Sequence, residues 1–203
     1  IVKFLMHYGD LFLGKTTVLC KDTPAFIANR VGVFAIMKVI DSMNKLNLNI
    51  DEIDKLTGPV IGRPKSATFR TSDVVGLDTL IKVAGNLFEG LQNNESCKYF
   101  KLPEVVSKME QNKRLGDKTK EGFYKKTKNT RGETEILTLD LNTLEYKPKA
   151  KTKFATLEST KSIDNLKQRF KVLFGGKDNA GEFYRDSFFG LFQYVSNRIP
   201  EIA

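Results

Sequence analysis

The fold is decided by residues 22–44, which read DTPAFIANRVGVFAIMKVIDSMN. Thr23 can cap the first turn of a helix, and Pro24 at the first helical position loses only an N–H that would be unpaired anyway. Apolar side chains then recur along one face at helical spacing, namely Phe26, Ile27, Val31, Phe34, Ala35 and Val39. The pattern predicts a long amphipathic helix that ends near Asn44.

Further helices are predicted on the C-terminal side of this stretch. Gly58 and Gly76 stand where two of them end, since glycine readily adopts the left-handed backbone that terminates a helix. The prolines of the turn at 58–64 forbid a continuous helix there. The predicted helices cover residues 50–57, 66–75, 77–91 and 102–112.

A small β-hairpin interrupts the helical pattern. Residues 134–148 alternate between apolar and polar side chains and can turn at Asn142-Thr143, which favours two short antiparallel strands. The preceding residues 115–126 are expected to form a glycine-bounded loop that packs Phe123 and Tyr124 against the helices.

Two more amphipathic helices are predicted at the C-terminal end, over 157–174 and 182–198, separated at Gly175-Gly176. The pair Asn197-Arg198 in the last helix echoes Asn29-Arg30 in the first long helix. This echo indicates either a duplicated helical unit or a coincidence.

The composition excludes several classes of protein. The chain has 203 residues, of which 40% are hydrophobic and 28% charged, as is typical of a globular fold with a core. No apolar run approaches the roughly 18 residues that span a bilayer. The net charge of +9 comes from lysines interspersed with acidic residues, which favours solvated faces over a nucleic-acid partner. A modest attraction for phosphate-bearing small molecules fits the same charge equally well.

Few residues in the chain are suited to metal binding or acid–base chemistry. Cys20 and Cys97 have neither the spacing of metal ligands nor that of a disulfide framework, which predicts a reducing, cytoplasmic location and no metal site. His7 is the only histidine, and an isolated histidine on a helix is usually structural or solvated. His7 is therefore not predicted to be a catalytic base.

Residues 9–16, GDLFLGKT, satisfy the phosphate-loop pattern of nucleotide hydrolases. That motif requires a loop between a strand and a helix, whereas the residues before it have helical spacing and the TTVLC that follows favours a strand. We therefore predict that Gly14 ends a helix in the left-handed conformation, with Lys15 at the negative end of the helix dipole. A nucleotide hydrolase is the least favoured function.

Three motifs occur in order: LGKTTVLCKDTPAFIANRVG at 13–32, GPVIGRPKSATFRTSDVVGLDT at 58–79 and KTKEGFY at 118–124. Together they closely resemble the C-terminal part of the 3-hydroxyacyl-CoA dehydrogenases, the NAD-dependent enzymes of fatty-acid β-oxidation. The resemblance covers about residues 10–125. Residues 182–203 resemble the start of a second helical repeat, as in long bacterial chains that also carry an enoyl-CoA hydratase domain.

The resemblance implies a mainly α fold, the helical C-terminal domain of a 6-phosphogluconate-dehydrogenase-like type, with the tail of a Rossmann domain at its N-terminus. Such a domain closes over the acyl-CoA substrate and mediates assembly into a homo-oligomer, commonly a dimer. The implied organisation is a Rossmann helix and strand at 1–22, the helical domain at 23–128, the β-hairpin with a basic linker at 129–155, and the second repeat at 156–203.

Asn29 matches the asparagine that the family places beside the reacting 3-hydroxyl or 3-keto group. A side-chain amide can donate to a carbonyl and accept from a hydroxyl, which suits a reversible alcohol–ketone reaction. Asn29 could instead hydrogen bond to nearby backbone. Arg63 and Lys65 precede a predicted helix N-terminus, where they could meet a coenzyme A phosphate or an acidic neighbour.

The remaining catalytic parts are expected upstream of Ile1. The resemblance implies a histidine–carboxylate pair there, and the glycine-rich G-x-G-x-x-G fingerprint for NAD is also missing from this sequence. The 203 residues alone are therefore expected to be inactive, supplying substrate closure, Asn29 and a subunit interface. The alternative is a helical dimerisation or interaction module without chemistry.

Overall fold

The computed structural model describes residues 1–203 and is mainly helical, as predicted. Three short 3-10 turns at Pro59–Ile61, Glu95–Phe100 and Asp117–Thr119 connect the helices. Three strands, β1 (Tyr124–Lys128), β2 (Thr134–Leu139) and β3 (Tyr146–Pro148), form one antiparallel sheet in the order β1-β2-β3. The helices are α1 (Val2–Leu11), α2 (Ala28–Lys45), α3 (Ile50–Thr57), α4 (Phe69–Val75), α5 (Leu77–Gly90), α6 (Glu104–Gln111), α7 (Ala155–Glu158), α8 (Leu166–Gly175) and α9 (Asn179–Ile202).

The α3 helix begins and ends at local signals in the sequence. Asn49 accepts a hydrogen bond from the Glu52 amide at 3.0 Å, and the Glu52 carboxylate accepts one from the Asn49 amide at 2.9 Å. This reciprocal capping box satisfies two amides that the helix itself leaves unpaired. Gly58 follows the last residue of α3, so the predicted helix at 50–57 is confirmed.

The α4 helix ends at Gly76 as predicted but begins at Phe69 rather than Ser66. Its first turn is capped from a distance, because the Asp54 carboxylate accepts hydrogen bonds from the amides of Thr68, Phe69 and Arg70 at 2.7–3.1 Å. Ala67, two residues before α4 begins, has a φ of +51°, which a right-handed helix cannot accommodate. The long-range cap and this left-handed residue together fix the later start.

The predicted hairpin is present as β2 and β3, while β1 was expected to be a loop. In β1 only Tyr124 is buried, so the strand shows no apolar alternation that would reveal it in the sequence. Its backbone nevertheless pairs with β2 in the register Lys126↔Ile136. Phe123 and Tyr124 lie in the core as predicted, with the Phe123 ring centroid 4.6 Å from that of Phe69.

The α9 helix packs antiparallel against α2 along most of its length. Phe34 stacks on Tyr194 with ring centroids 3.8 Å apart, and the Lys38 ammonium lies 2.7 Å from the Asp186 carboxylate. Asp178 caps α9 by accepting a hydrogen bond from the Gly181 amide at 3.1 Å. The C-terminal helix is therefore part of the same packed body as α2.

The helix predicted over 157–174 is divided into α7 and α8. Between them lies the polar segment 159–165, in which serine, threonine, aspartate and asparagine compete with helical hydrogen bonding. Asn165 caps α8 by accepting from the Gln168 amide at 3.0 Å, so the chain starts a new helix at this point.

Residues 15–22 form no strand, contrary to the expectation for TTVLC. A β-strand requires a neighbouring strand to take up its backbone hydrogen bonds. Here the Thr17 side chain folds back onto Asp10 of α1 at 3.0 Å, and the Lys21 amide donates to the Ile202 carbonyl at the end of α9. Gly14 has the predicted left-handed backbone, with a φ of +60°.

Two buried clusters form the core. The larger one joins the second half of α2 to α3, α4, the sheet and α7–α9, with one residue each from α5 and α6. The smaller one lies between the first half of α2, α5, Phe100 and Tyr194 of α9. None of the helices combines the length and apolar character required to cross a lipid bilayer.

Candidate functional site

A groove of about 330 Å³ runs between α2, α4 and α5. Asn29 lies at its margin in the first turn of α2, and Arg63 approaches it from the turn before α4. The rest of the lining is largely apolar with a few hydroxyl groups, and it includes Gly32, Ile36, Thr71, Ser72, Val75, Thr79 and Val83. Such a surface suits an apolar ligand that carries one polar group.

The backbone before α2 determines how Asn29 is presented. The predicted cap at Thr23 is wrong: its hydroxyl is buried without a hydrogen-bond partner, and α2 begins at Ala28. Ala25 and Phe26 have φ angles of +61° and +52°, so these residues cannot continue a right-handed helix. As a result Asn29 lies in the first helical turn and is exposed.

The neighbouring Arg30 anchors this turn from the opposite side. Its side chain is fully buried, with Nη2 2.6 Å from Glu201 Oε1 and Nε 3.1 Å from the Tyr194 hydroxyl. Burial alone would raise the pKa of Glu201, but the hydrogen bond and charge of Arg30 outweigh it and lower that pKa. Arg30 is thus bonded on the α9 side of this turn, while Asn29 is exposed and lines the groove.

The similar pair on α9 is Asn197-Arg198, and its arginine contacts the same Glu201 carboxylate as Arg30. Arg198 Nη1 lies 2.9 Å from Glu201 Oε2, and its Nη2 lies 2.8 Å from Glu95. The two arginines thus share Glu201, while the two asparagines line different cavities. Asn197 is exposed and does not line the Asn29 groove.

The structure separates the two other predicted site residues. Arg63 lines the groove with Asn29, whereas Lys65 lines a second cleft on the side of α4 that carries Arg70. The amides at the start of α4 are already bonded to Asp54, so this helix end has no free N–H groups for a phosphate. Any contact with a phosphate must therefore come from the side chains.

One buried carboxylate was not foreseen from the sequence. Asp73 of α4 accepts hydrogen bonds from the amides of Phe123 and Tyr124, both at 2.8 Å, and burial raises the pKa of Asp73 to about 6. Gly122 lies against this carboxylate, where a β-carbon would clash with it. The contact ties the KTKEGFY motif to α4. Asp73 and the amides that it binds are about 50 residues apart, so no local pattern in the sequence reveals the contact.

The remaining sequence candidates contribute little to these cavities. His7 is exposed on α1 and lines neither the groove nor the second cleft. Residues 9–11 of the phosphate-loop pattern belong to α1, with Gly9 buried against Thr17, so the nucleotide-hydrolase interpretation is wrong. A phosphate loop needs free amides in a turn, whereas these amides are helical. Cys20 and Cys97 are free thiols.

The chain also contains no turn suited to NAD. A dinucleotide pyrophosphate is normally held by a glycine-rich turn between a strand and a helix. The sheet here is antiparallel and small, and the sequence has no such glycine pattern.

Comparison with known proteins agrees with this architecture. Residues 26–126 match the family model of the 3-hydroxyacyl-CoA dehydrogenase C-terminal domain, about half of the chain. With the groove beside Asn29 and the helices that frame it, the chain is of the helical-domain class found in these oxidoreductases. It belongs to the 3-hydroxyacyl-CoA dehydrogenase C-terminal domain family.

Several relatives extend the match beyond this region. A probable 3-hydroxyacyl-CoA dehydrogenase of Bacillus subtilis is 39% identical over all 203 residues, which correspond to 25% of its own length. One of Deinococcus radiodurans is 40% identical over 68% of the chain and 39% of its own. A 3-hydroxybutyryl-CoA dehydrogenase of Mycobacterium tuberculosis is 28% identical over 58% of the chain and 40% of its own. The chain thus spans about a quarter to two fifths of these relatives.

Proposed function

We propose that this chain is the substrate-facing part of an NAD-dependent enzyme that interconverts 3-hydroxyacyl-CoA and 3-ketoacyl-CoA in fatty-acid β-oxidation. The observation that carries the proposal is Asn29, exposed at the margin of a largely apolar groove and anchored through Arg30. The groove would receive the acyl part of the thioester. The Asn29 amide would donate to a 3-keto oxygen or accept from a 3-hydroxyl.

Asn29 is suited to orienting the substrate and not to removing its proton. An amide does not titrate near neutral pH, so the base for alcohol oxidation must be another group. We place that base and the NAD site in parts of the complete protein outside these residues. The helical domain would close over the acyl-CoA and position the 3-oxygen at Asn29. NAD, when bound, supplies the hydride acceptor.

Assembly through the helical domain is the second element of the proposal. Phe189, Phe192 and Ile199 of α9 are each more than half exposed. Exposed aromatic and aliphatic residues on one helix favour a protein interface, here a homodimer. The two free cysteines fit a cytoplasmic location.

The experiment that tests this function is a 3-ketoacyl-CoA reduction assay with NADH, run on the 203-residue chain and on the complete gene product side by side. We expect turnover only in the complete protein. Turnover by the 203 residues alone would overturn the placement of the base and cofactor site. Absence of turnover in both would favour the alternative, a helical interaction module, for which the exposed aromatic residues of α9 are the supporting observation.

A further inference from the structure

A second and larger cleft lies on the side of α4 away from Asn29. Its volume is about 1010 Å³, and its walls are formed by α3, the start of α4, strands β1 and β2, and residues 149–153. We refer to it as the basic cleft. Eight lysines and one arginine line it, together with four carboxylates.

All four carboxylates of the basic cleft are already engaged. Asp117 forms an ion pair with Arg70, with Nη2 2.9 Å from Oδ2, and Glu158 forms one with Lys161.

The other two carboxylates accept hydrogen bonds from neutral groups. Asp51 accepts from the Thr138 hydroxyl and the Ala150 amide, each at 2.9 Å. Asp54 accepts from the amides of α4 and from the Tyr124 hydroxyl. Asp51 and Asp54 keep their negative charge, because their partners are neutral hydroxyl and amide groups. The cleft nevertheless holds nine basic side chains against four carboxylates, so an excess of positive charge remains.

Apart from Lys55, which donates to the Thr152 carbonyl, six lysine ammonium groups of the cleft form no ion pair within the chain. They are exposed and converge on one concavity: Lys65, Lys120, Lys126, Lys149, Lys151 and Lys153. Like charges held close together repel each other, and the strongly positive potential attracts a multiply charged anion.

The walls of the basic cleft are tethered. The Ala150 amide is bonded to Asp51 at 2.9 Å, and the Lys55 ammonium donates to the Thr152 carbonyl. Pro148, next to this segment, pairs with Leu137 of the sheet. The lysine-rich segment 149–153 is thus fixed opposite α3, so less ordering is required when a ligand binds.

We propose that the basic cleft binds a small molecule carrying two or more phosphate groups. A concave volume of this size is that of a small-molecule site, whereas a flat membrane surface would reach only its rim. Lysine ammonium groups are effective point charges for phosphate, and several phosphates can satisfy several lysines at once.

In the complete protein, the phosphate groups bound in the basic cleft could come from two kinds of molecule. The first is the nucleotide end of a coenzyme A thioester, and this source rests on the proposed function. Arg63 at the Asn29 groove and Lys65 at the basic cleft are only two residues apart, which places the two sites on either side of α4. The second source is a free polyphosphate or nucleotide that binds independently of turnover.

Binding is tested by calorimetry of the complete protein with inorganic tripolyphosphate, which has no base or sugar to occupy a dinucleotide site. We expect the triple variant Lys149→Ala/Lys151→Ala/Lys153→Ala to weaken binding by at least about tenfold, roughly 1.4 kcal/mol. The control variant Lys82→Ala/Lys167→Ala/Lys171→Ala removes the same charge from exposed positions of α5 and α8 outside the cleft. The control should bind like the parent.

Three results would overturn the proposal: no binding by the parent protein, equal weakening by both triple variants, or tighter binding of poly-glutamate than of tripolyphosphate. The last result would indicate an acidic protein partner. The calorimetric measurement requires no dehydrogenase activity. Its result therefore supports or overturns the phosphate site separately from the proposed function.

The source of the phosphates is then resolved by kinetics with acetoacetyl-CoA and acetoacetyl-pantetheine, which lacks the nucleotide. In the triple variant of Lys149, Lys151 and Lys153, a several-fold rise in KM for acetoacetyl-CoA, with no change in KM for acetoacetyl-pantetheine, would support the coenzyme A source. Unchanged KM for both substrates, with tripolyphosphate binding lost, would support a free polyphosphate.

Discussion

Helices α1 and α2 both carry an apolar stripe, but only α2 is covered. In α1 the single buried residue is Gly9, and Phe4 is 66% exposed. In α2 eight residues are buried, and Phe34 is 4% exposed beneath Tyr194 of α9. The amphipathic pattern therefore predicts a helix and a face but not the surface that will cover that face.

The uncovered face of α1 agrees with the proposed role of the complete protein. We expect α1 to pack against the NAD-binding part, as the resemblance of residues 1–22 to a Rossmann tail implies. α2 has its partners within the chain, because α9 and α5 bury much of it, while its Asn29 side remains open. The two helices should therefore respond differently to the same substitution.

The largest expected effect is the loss of a buried ring from α2. Phe34→Ala removes the stack on Tyr194 and leaves a cavity, which should lower the free energy of unfolding by roughly 3–5 kcal/mol. Phe4→Ala on α1 should change it by less than about 0.5 kcal/mol in the 203-residue chain. Urea unfolding monitored by circular dichroism measures both.

The comparison is sharpened by repeating Phe4→Ala in the complete protein. There we expect a cost above about 1 kcal/mol, because the ring would become buried at the domain contact. An equally small effect in both backgrounds would contradict the expected contact of α1.

A smaller effect is expected from the carboxylate that joins α2 to α9. Glu201→Gln keeps an acceptor for Arg30 but removes its charge, leaving a fully buried guanidinium without a counter-ion. We expect a loss of about 2 kcal/mol in unfolding free energy. Glu89→Gln, at an exposed position of α5, is the matched control and should be neutral. Equal stability of the two variants would show that the Arg30 anchor is not stabilising.

A pH-dependent effect follows from Asp73. The pKa of Asp73 is raised to about 6 in the folded state. As the pH rises from 4 to 6, Asp73 therefore loses its proton in the unfolded chain at a lower pH than in the folded chain. The Asp73 contribution to stability is therefore highest at about pH 3 and below, falls by roughly 3 kcal/mol as the pH rises to about 7, and is constant above.

Asp73→Asn cannot titrate, so the stability difference between parent and variant should shrink or reverse across that interval in urea unfolding at pH 4, 5, 6 and 7. Asp164→Asn, at an exposed position, controls for the loss of one carboxylate. A parent-minus-variant difference that does not change with pH would contradict a raised pKa for Asp73.

The smallest effect on stability is expected at the exposed aromatic surface of α9. Phe189→Ser should alter the unfolding free energy of the 203-residue chain by less than about 0.5 kcal/mol, since the ring is 55% exposed. In the complete protein the same change should lower the mass measured by light scattering towards that of a monomer. An unchanged mass would place the subunit interface elsewhere.

Much of the helical architecture could be predicted because its signals are local. The Gly58 and Gly76 stops and the hairpin turn all lie within a few residues of the elements they define. The start of α2 could not be predicted, because Thr23-Pro24 is a valid local cap that the left-handed Ala25 overrides. Local propensity is a weak guide wherever tertiary contacts decide.

The candidate site was only partly accessible from sequence for the same reason. The resemblance pointed to Asn29, and the structure places Arg63 on the same groove but Lys65 in another cleft. The Arg30–Glu201 pair joins residues 171 positions apart, and Asp73 holds amides 50 positions away. No spacing rule within a helix or strand encodes such contacts.

The most direct test of the central claim is the rate of acetoacetyl-CoA reduction by the complete protein carrying Asn29→Ala, compared with Asn197→Ala. Asn197 belongs to the similar Asn-Arg pair on α9 but lies outside the groove. We predict a fall in kcat of more than about tenfold, near 1.4 kcal/mol, for Asn29→Ala and none for Asn197→Ala. A fall smaller than about tenfold at Asn29, or equal falls at both positions, would contradict contact between Asn29 and the reacting group.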